Sequence, residues 1–184
     1  MRIALFGGSF NPPHVAHQLA CAYVLATARP RVEEVWMVPT WKHPFDKQLA
    51  PYPDRVAMSE RAAAPFGGRV KVSRVEEALG GESYTLRTVQ VLKAERPQDD
   101  FALVIGADLV AERERWHGWP TLKTLADFII VGRGGYPGAA ETELELPQVS
   151  STEVRARIFA GRPVDSLVAA DVLDYIREKD LYRE

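Results

Sequence analysis

The opening of the chain constrains its fold most. An apolar run over residues 2–6 stops on Gly7-Gly8, and after Ser9-Phe10-Asn11-Pro12-Pro13 a helical pattern begins with His14 and His17. A short buried strand that turns through glycines into a helix is the first unit of an α/β domain. The same turn builds a site for an anion. Glycines let a phosphate come close to the backbone, and a helix start offers unpaired N–H groups and a positive dipole end. Two imidazoles three positions apart share one helical face and can both donate to phosphoryl oxygens. A plain strand-to-helix turn explains the glycines, Asn11 and the prolines. It does not explain two of the chain's four histidines at one helix start.

The alternation continues. The apolar pattern predicts strands over 32–38, 70–75, 101–105 and 128–131. It predicts helices over 14–28, 54–64, 84–95, 151–160 and 166–178, with start signals at Asn11 and Pro12 for the first. In that helix Val15, Leu19, Ala22, Tyr23 and Ala26 share one face. In the last, Val168, Val172 and Ile176 form a stripe. Residues 40–53, rich in proline and lysine, read as a loop. This order implies a Rossmann-like, doubly wound, mainly parallel sheet with helices on both faces. One domain spans 1–184, with the helices of about 151–184 packed on it. In such sheets the ligand crevice lies beyond the carboxyl ends of the strands. The unusual residues collect there: Gly7 to His17, Trp41 to Lys47, Gly106 and Asp108, and Arg133.

Composition removes several classes. A hydrophobic content of 46% across 184 residues supplies a full core. A net charge of −2 gives no general attraction to nucleic acid or anionic lipid, so an anion site must be local. The single cysteine, Cys21, excludes an intrachain disulfide framework and reads as packed in the first helix. No apolar stretch is long enough to span a bilayer, and the first residues are too short for a signal-peptide core. A cytoplasmic protein without nucleic-acid or membrane partners is expected, and association between copies stays open.

The first loop is neither the dinucleotide G-x-G-x-x-G pattern nor a P-loop, because it lacks the Gly-Lys-Ser/Thr ending. A second constellation follows late in the chain, Ser150-Ser151-Thr152-Glu153-Val154-Arg155. Ser150 and Glu153 form a capping box. Three successive hydroxyls, a helix start and Arg155 one turn in exceed what a cap needs, and together they suit a polyphosphate.

The Gly7-Gly8-Ser9-Phe10-Asn11-Pro12-Pro13-His14-x-x-His17 segment, taken with Ser150-Ser151-Thr152-x-x-Arg155, resembles the nucleotidyltransferase superfamily with HxGH and SSTxxR signatures. Within it the chain is most similar to the nicotinate-nucleotide adenylyltransferase family. Gly81-Glu82-Ser83-Tyr84-Thr85, Gly106-Ala107-Asp108 with Trp116, and the 39–47 loop extend the likeness over nearly the whole chain. Three positions depart from the family pattern. Ala16 replaces a glycine between the histidines. Arg87 stands where an aspartate is usual. The lysine loop reads Trp41-Lys42-His43-Pro44-Phe45-Asp46-Lys47.

The resemblance implies attack by a mononucleotide phosphate on the α-phosphorus of ATP. Pyrophosphate leaves, and deamido-NAD forms from nicotinate mononucleotide. Nicotinamide mononucleotide and phosphopantetheine remain alternative acceptors, and a nucleotide-binding module without catalysis remains an alternative function. Such transfer needs alignment and charge stabilisation more than a protein nucleophile. The implied ATP site is Gly7, Gly8, Ser9, Phe10, His14, His17, Gly106, Arg133, Ser150, Ser151, Thr152 and Arg155, with the two histidines as catalytic groups. The implied acceptor site is Lys42 or Lys47 for the phosphate, Asp108 for a ribose hydroxyl, and Tyr84, Thr85 and Trp116 around the pyridine ring. Trp119 reads as packing. Mg2+ is expected with ATP, bridging its phosphates, and not as an ion ligated by the histidines.

Overall fold

The computed structural model describes residues 1–43, 48–133 and 145–183. Strands β1 (Arg2–Gly8), β2 (Glu34–Pro39), β3 (Val70–Val72), β4 (Asp100–Gly106), β5 (Asp127–Arg133) and β6 (Glu145–Leu146) form one sheet. Their order is β3-β2-β1-β4-β5-β6, and every neighbouring pair is parallel. The helices are α1 (Val15–Thr27), α2 (Tyr52–Ala63), α3 (Val75–Leu79), α4 (Thr85–Glu95), α5 (Trp119–Leu125), α6 (Ser151–Phe159) and α7 (Ala170–Glu178). From β1 the chain winds outward through β2 and β3, and from β4 it winds the other way. The ends of β1 and β4 therefore frame a switch-point crevice. The expected doubly wound sheet is the one observed.

Alternate residues of β1 feed opposite faces, as a strand's two-residue period requires. Ile3 and Leu5 pack with Phe101, Leu103, Val89 and Leu92 of α4 and Leu122 of α5. Ala4 packs with Ala20, Cys21 and Val24 of α1 and with Val35, Met37, Val104 and Val131. A third cluster joins Met58 and Ala62 of α2 to Val154 of α6 and to Val164, Val168, Val172, Leu173 and Ile176. The expected stripe of Val168, Val172 and Ile176 is buried in it, although Val168 lies ahead of α7. No helix among the described residues is long and apolar enough to cross a membrane.

Several local expectations need correction. The buried residues of α1 are Ala16, Ala20, Cys21 and Val24, whereas Leu19, Ala22 and Ala26 are exposed. Small side chains face the sheet because they let the helix approach it closely, and Val15 packs instead on the third cluster. The strand expected over 70–75 ends at Val72, and Val75 starts α3, which the apolar pattern did not reveal. The last helix begins at Ala170 rather than 166. The second helix begins at Tyr52, inside the expected loop. Helix α5 and strand β6 were unforeseen. A seven-residue helix and a two-residue strand are too short to establish a period.

Candidate active site

The first loop is built around two aromatic rings. A Cβ placed on Gly7 would meet no atom within 4 Å, so the backbone at the end of β1 borders open space. Phe10 turns the chain with φ of 46°, a left-handed conformation that is strained for a bulky residue. Its buried ring stands edge-on to Phe6 at 5.7 Å and to His17 at 5.0 Å between centroids. His14 is extended and sits just ahead of α1, whose first N–H, on Val15, donates to the Leu167 carbonyl at 2.8 Å. The rings of His14 and His17 lie 3.8 Å apart. The His14 N–H donates to His17 Nδ1 at 3.1 Å, which leaves the proton of a neutral His17 on Nε2. Ala16 is buried.

The start of α6 closes on this loop. Ser150 precedes the helix, and its hydroxyl accepts from the Glu153 N–H at 3.1 Å, which is one half of the expected capping box; the Glu153 carboxylate pairs with Arg157 at 2.6 Å. Ser151 Oγ donates to the Pro12 carbonyl at 2.8 Å. Arg155 donates through Nη1 to the Asn11 carbonyl at 2.7 Å and through Nη2 to Thr152 Oγ1 at 3.3 Å. Two segments 139 and 144 positions apart in the chain thus meet beside the histidines. Asn11 is buried, and its Oδ1 accepts from the Ala50 N–H at 3.0 Å and the Tyr182 hydroxyl at 2.8 Å. Burial raises the pKa of that tyrosine, which stays a neutral donor.

Across the crevice, the segment after β2 is pinned to the turn before α4. Ser83 Oγ accepts from the Trp41 and Lys42 N–H groups at 3.0 and 3.3 Å, and the Ser83 N–H donates to the Lys42 carbonyl at 3.0 Å. Glu76 Oε2 accepts from the Trp41 N–H at 3.1 Å. Burial pushes the pKa of Glu76 up, against hydrogen bonds from Ser83, Trp41 and Thr88 that pull it down. The Lys42 side chain is exposed, and Lys47 lies outside the described residues. Tyr84 precedes α4 and Thr85 begins it. The Tyr84 ring lies 4.6 Å from that of His117, and its hydroxyl donates to Glu82 at 2.6 Å. Trp116 and Trp119 both pack, partly buried, against the cluster beneath α4 and α5. Arg87 donates to the Leu79 and Gly80 carbonyls at 2.8 and 2.7 Å and so caps α3.

Beyond β4, Asp108 folds back over Gly106, where a Cβ would collide with its carboxylate. Arg133 ends β5. Among the described residues, no group of three or more His, Cys, Asp or Glu could hold a metal ion.

Sequence reasoning passed over Arg55 and Tyr182. Arg55 had a signal. It shares a helical face with Ser59 and Ala62, so a cation stands on an inward stripe. Burial lowers its pKa, and it remains a cation at neutral pH.

The sequence profile of the Cytidylyltransferase-like family matches residues 5–157. A protein of Anaeromyxobacter dehalogenans (strain 2CP-1), described as a probable nicotinate-nucleotide adenylyltransferase, is 47% identical over 184 residues, covering 98% of this chain and 96% of that one. One of Myxococcus xanthus with the same description is 38% identical, covering 99% and 95%. The fold matches the Plasmodium falciparum nicotinic acid mononucleotide adenylyltransferase complexed with NaAD, with a TM-score of 0.82 at 20% identity over 98% of this chain and 97% of that chain. By sequence similarity over nearly its full length, the chain belongs to the nicotinate-nucleotide adenylyltransferase family.

Proposed function

We propose that the protein transfers the adenylyl group of ATP to nicotinate mononucleotide, giving deamido-NAD and pyrophosphate. A phosphate oxygen of the mononucleotide bonds to the α-phosphorus, and the bond from that phosphorus to the α,β-bridging oxygen breaks. The observation that carries this reading is the closure of α6 on the Asn11–Pro12 turn, which brings Ser151 and Arg155 to the loop that bears His14 and His17.

The loop Gly7, Gly8, Ser9 and Phe10 receives the nucleotide, with Gly106 and Arg133 at neighbouring strand ends. His17 donates through Nε2, and with His14 it offsets charge building on the oxygens around the α-phosphorus. Ser150, Ser151, Thr152 and Arg155 hold the outer phosphates. Asp108 holds a ribose hydroxyl. Tyr84, Thr85 and Trp116 border the pyridine ring, and the N–H groups at the start of α4 suit its carboxylate. Lys42 or Lys47 meets the acceptor phosphate. Mg2+ would enter with ATP and would supply charge neutralisation at its phosphates; among the described residues no cluster of His, Cys, Asp or Glu would hold it separately.

Pyrophosphate release with ATP tests the reading, run side by side with the acid and amide mononucleotides. The acid is expected to give the higher kcat/KM. Equal or reversed preference rejects nicotinate as the acceptor, and no release with either rejects the activity.

A further inference from the structure

Arg55 lies on α2, outside every segment that the proposed mechanism uses. It is only 2% exposed. Its guanidinium donates to three carbonyls on the stretches flanking the crevice: Ser9 at 2.9 Å, Thr40 at 2.8 Å and Ala50 at 3.0 Å. Ser9 belongs to the loop that leads to the histidines. Thr40 and Ala50 stand on either side of the loop that carries Lys42. Among the described residues, its hydrogen bonds go to backbone oxygens alone.

Such an arrangement is costly for stability alone. A buried cation without a carboxylate partner keeps much of its desolvation penalty, and an apolar side chain of similar volume often serves a fold better. The sheet also ties these loops without it, since the Thr40 N–H donates to the Gly8 carbonyl at 3.0 Å. What Arg55 adds is a tie beyond the strand ends. Its rigid fork of donors fixes the spacing between the two loops.

We infer that Arg55 is a positioning residue for the transfer, holding the nucleotide loop and the acceptor loop at the separation at which the two substrates react. The inference rests on the proposed adenylyl transfer. Each loop keeps its own contacts when the tie is cut, so each substrate still binds. The attacking oxygen and the α-phosphorus then lose alignment, and a misplacement of about 1 Å can cost on the order of a hundredfold in rate.

The test compares wild type, Arg55→Met and Arg55→Lys by steady-state kinetics for both substrates. Arg55→Met is expected to lower kcat by roughly ten- to a hundredfold while both KM values stay within about threefold. Arg55→Lys, which keeps the charge and some of the donors, is expected to recover part of that loss. Unchanged kcat in both variants, or a defect confined to one KM, overturns the inference. If Arg55→Met does not fold, Arg55→Lys decides by the same split between kcat and KM. A wild type that releases no pyrophosphate removes the proposed activity and the inference with it. An active wild type matched by both variants removes only the inference.

Discussion

At the scale of single residues, the site is written partly in side chains and partly in their absence. Gly7 has no neighbour where its Cβ would stand, so the fold does not require glycine there. The proposed nucleotide path does. Gly7→Ala is expected to unfold at nearly the wild-type temperature and to raise the KM for ATP by on the order of tenfold. Thermal denaturation and kinetics check both halves, and an unchanged KM removes Gly7 from the path. His14, His17 and Arg155 were legible in the sequence because their spacing is local. Tyr182 was not, and Arg55 showed only its inward position on α2, because their partners at Asn11 and at Ser9, Thr40 and Ala50 lie on other elements. Arg87 was read as a departure from the family pattern, and the structure gives it a local task at the end of α3.

Elements carry a different lesson. The Ser150–Arg155 segment admitted two readings, a cap and a phosphate clamp, and its observed bonds serve the fold in either case. The two readings separate by measurement. Ser151→Ala and Arg155→Ala are each expected to lower stability by about 1 kcal/mol, the scale of one lost hydrogen bond, and also to raise the KM for ATP several-fold. A stability loss alone leaves the segment as a cap. Legibility followed periodicity. Strands β1, β4 and β5 were found because unbroken apolar runs mark strands covered on both faces. The inward face of α1 was misjudged because that helix touches both the sheet cluster and the C-terminal cluster, so apolar residues surround it. Helix α3 was hidden because Val75 extended the apolar pattern of β3.

For the molecule as a whole, the doubly wound order was legible because helix and strand patterns alternate along the chain. The meeting of its ends was not, since no local pattern encodes a contact between Asn11 and Tyr182. The third cluster fastens α6 and α7 to α2, and Ile176 is buried in it. Ile176→Ala is expected to cost about 2 to 5 kcal/mol, read as a lower denaturation midpoint. Turnover measured well below that midpoint should change little, because no residue of the proposed mechanism belongs to the third cluster. A large kcat defect in the folded variant shows instead that the cluster shapes the crevice.

The N–H that opens α1 is satisfied by the carbonyl of Leu167. The histidine helix therefore borrows part of its beginning from a stretch translated long after it. A nascent polypeptide still short of that leucine carries both imidazoles and the hydroxyl cluster, yet lacks the bond that seats them. That bond forms only when the tail folds back on the start.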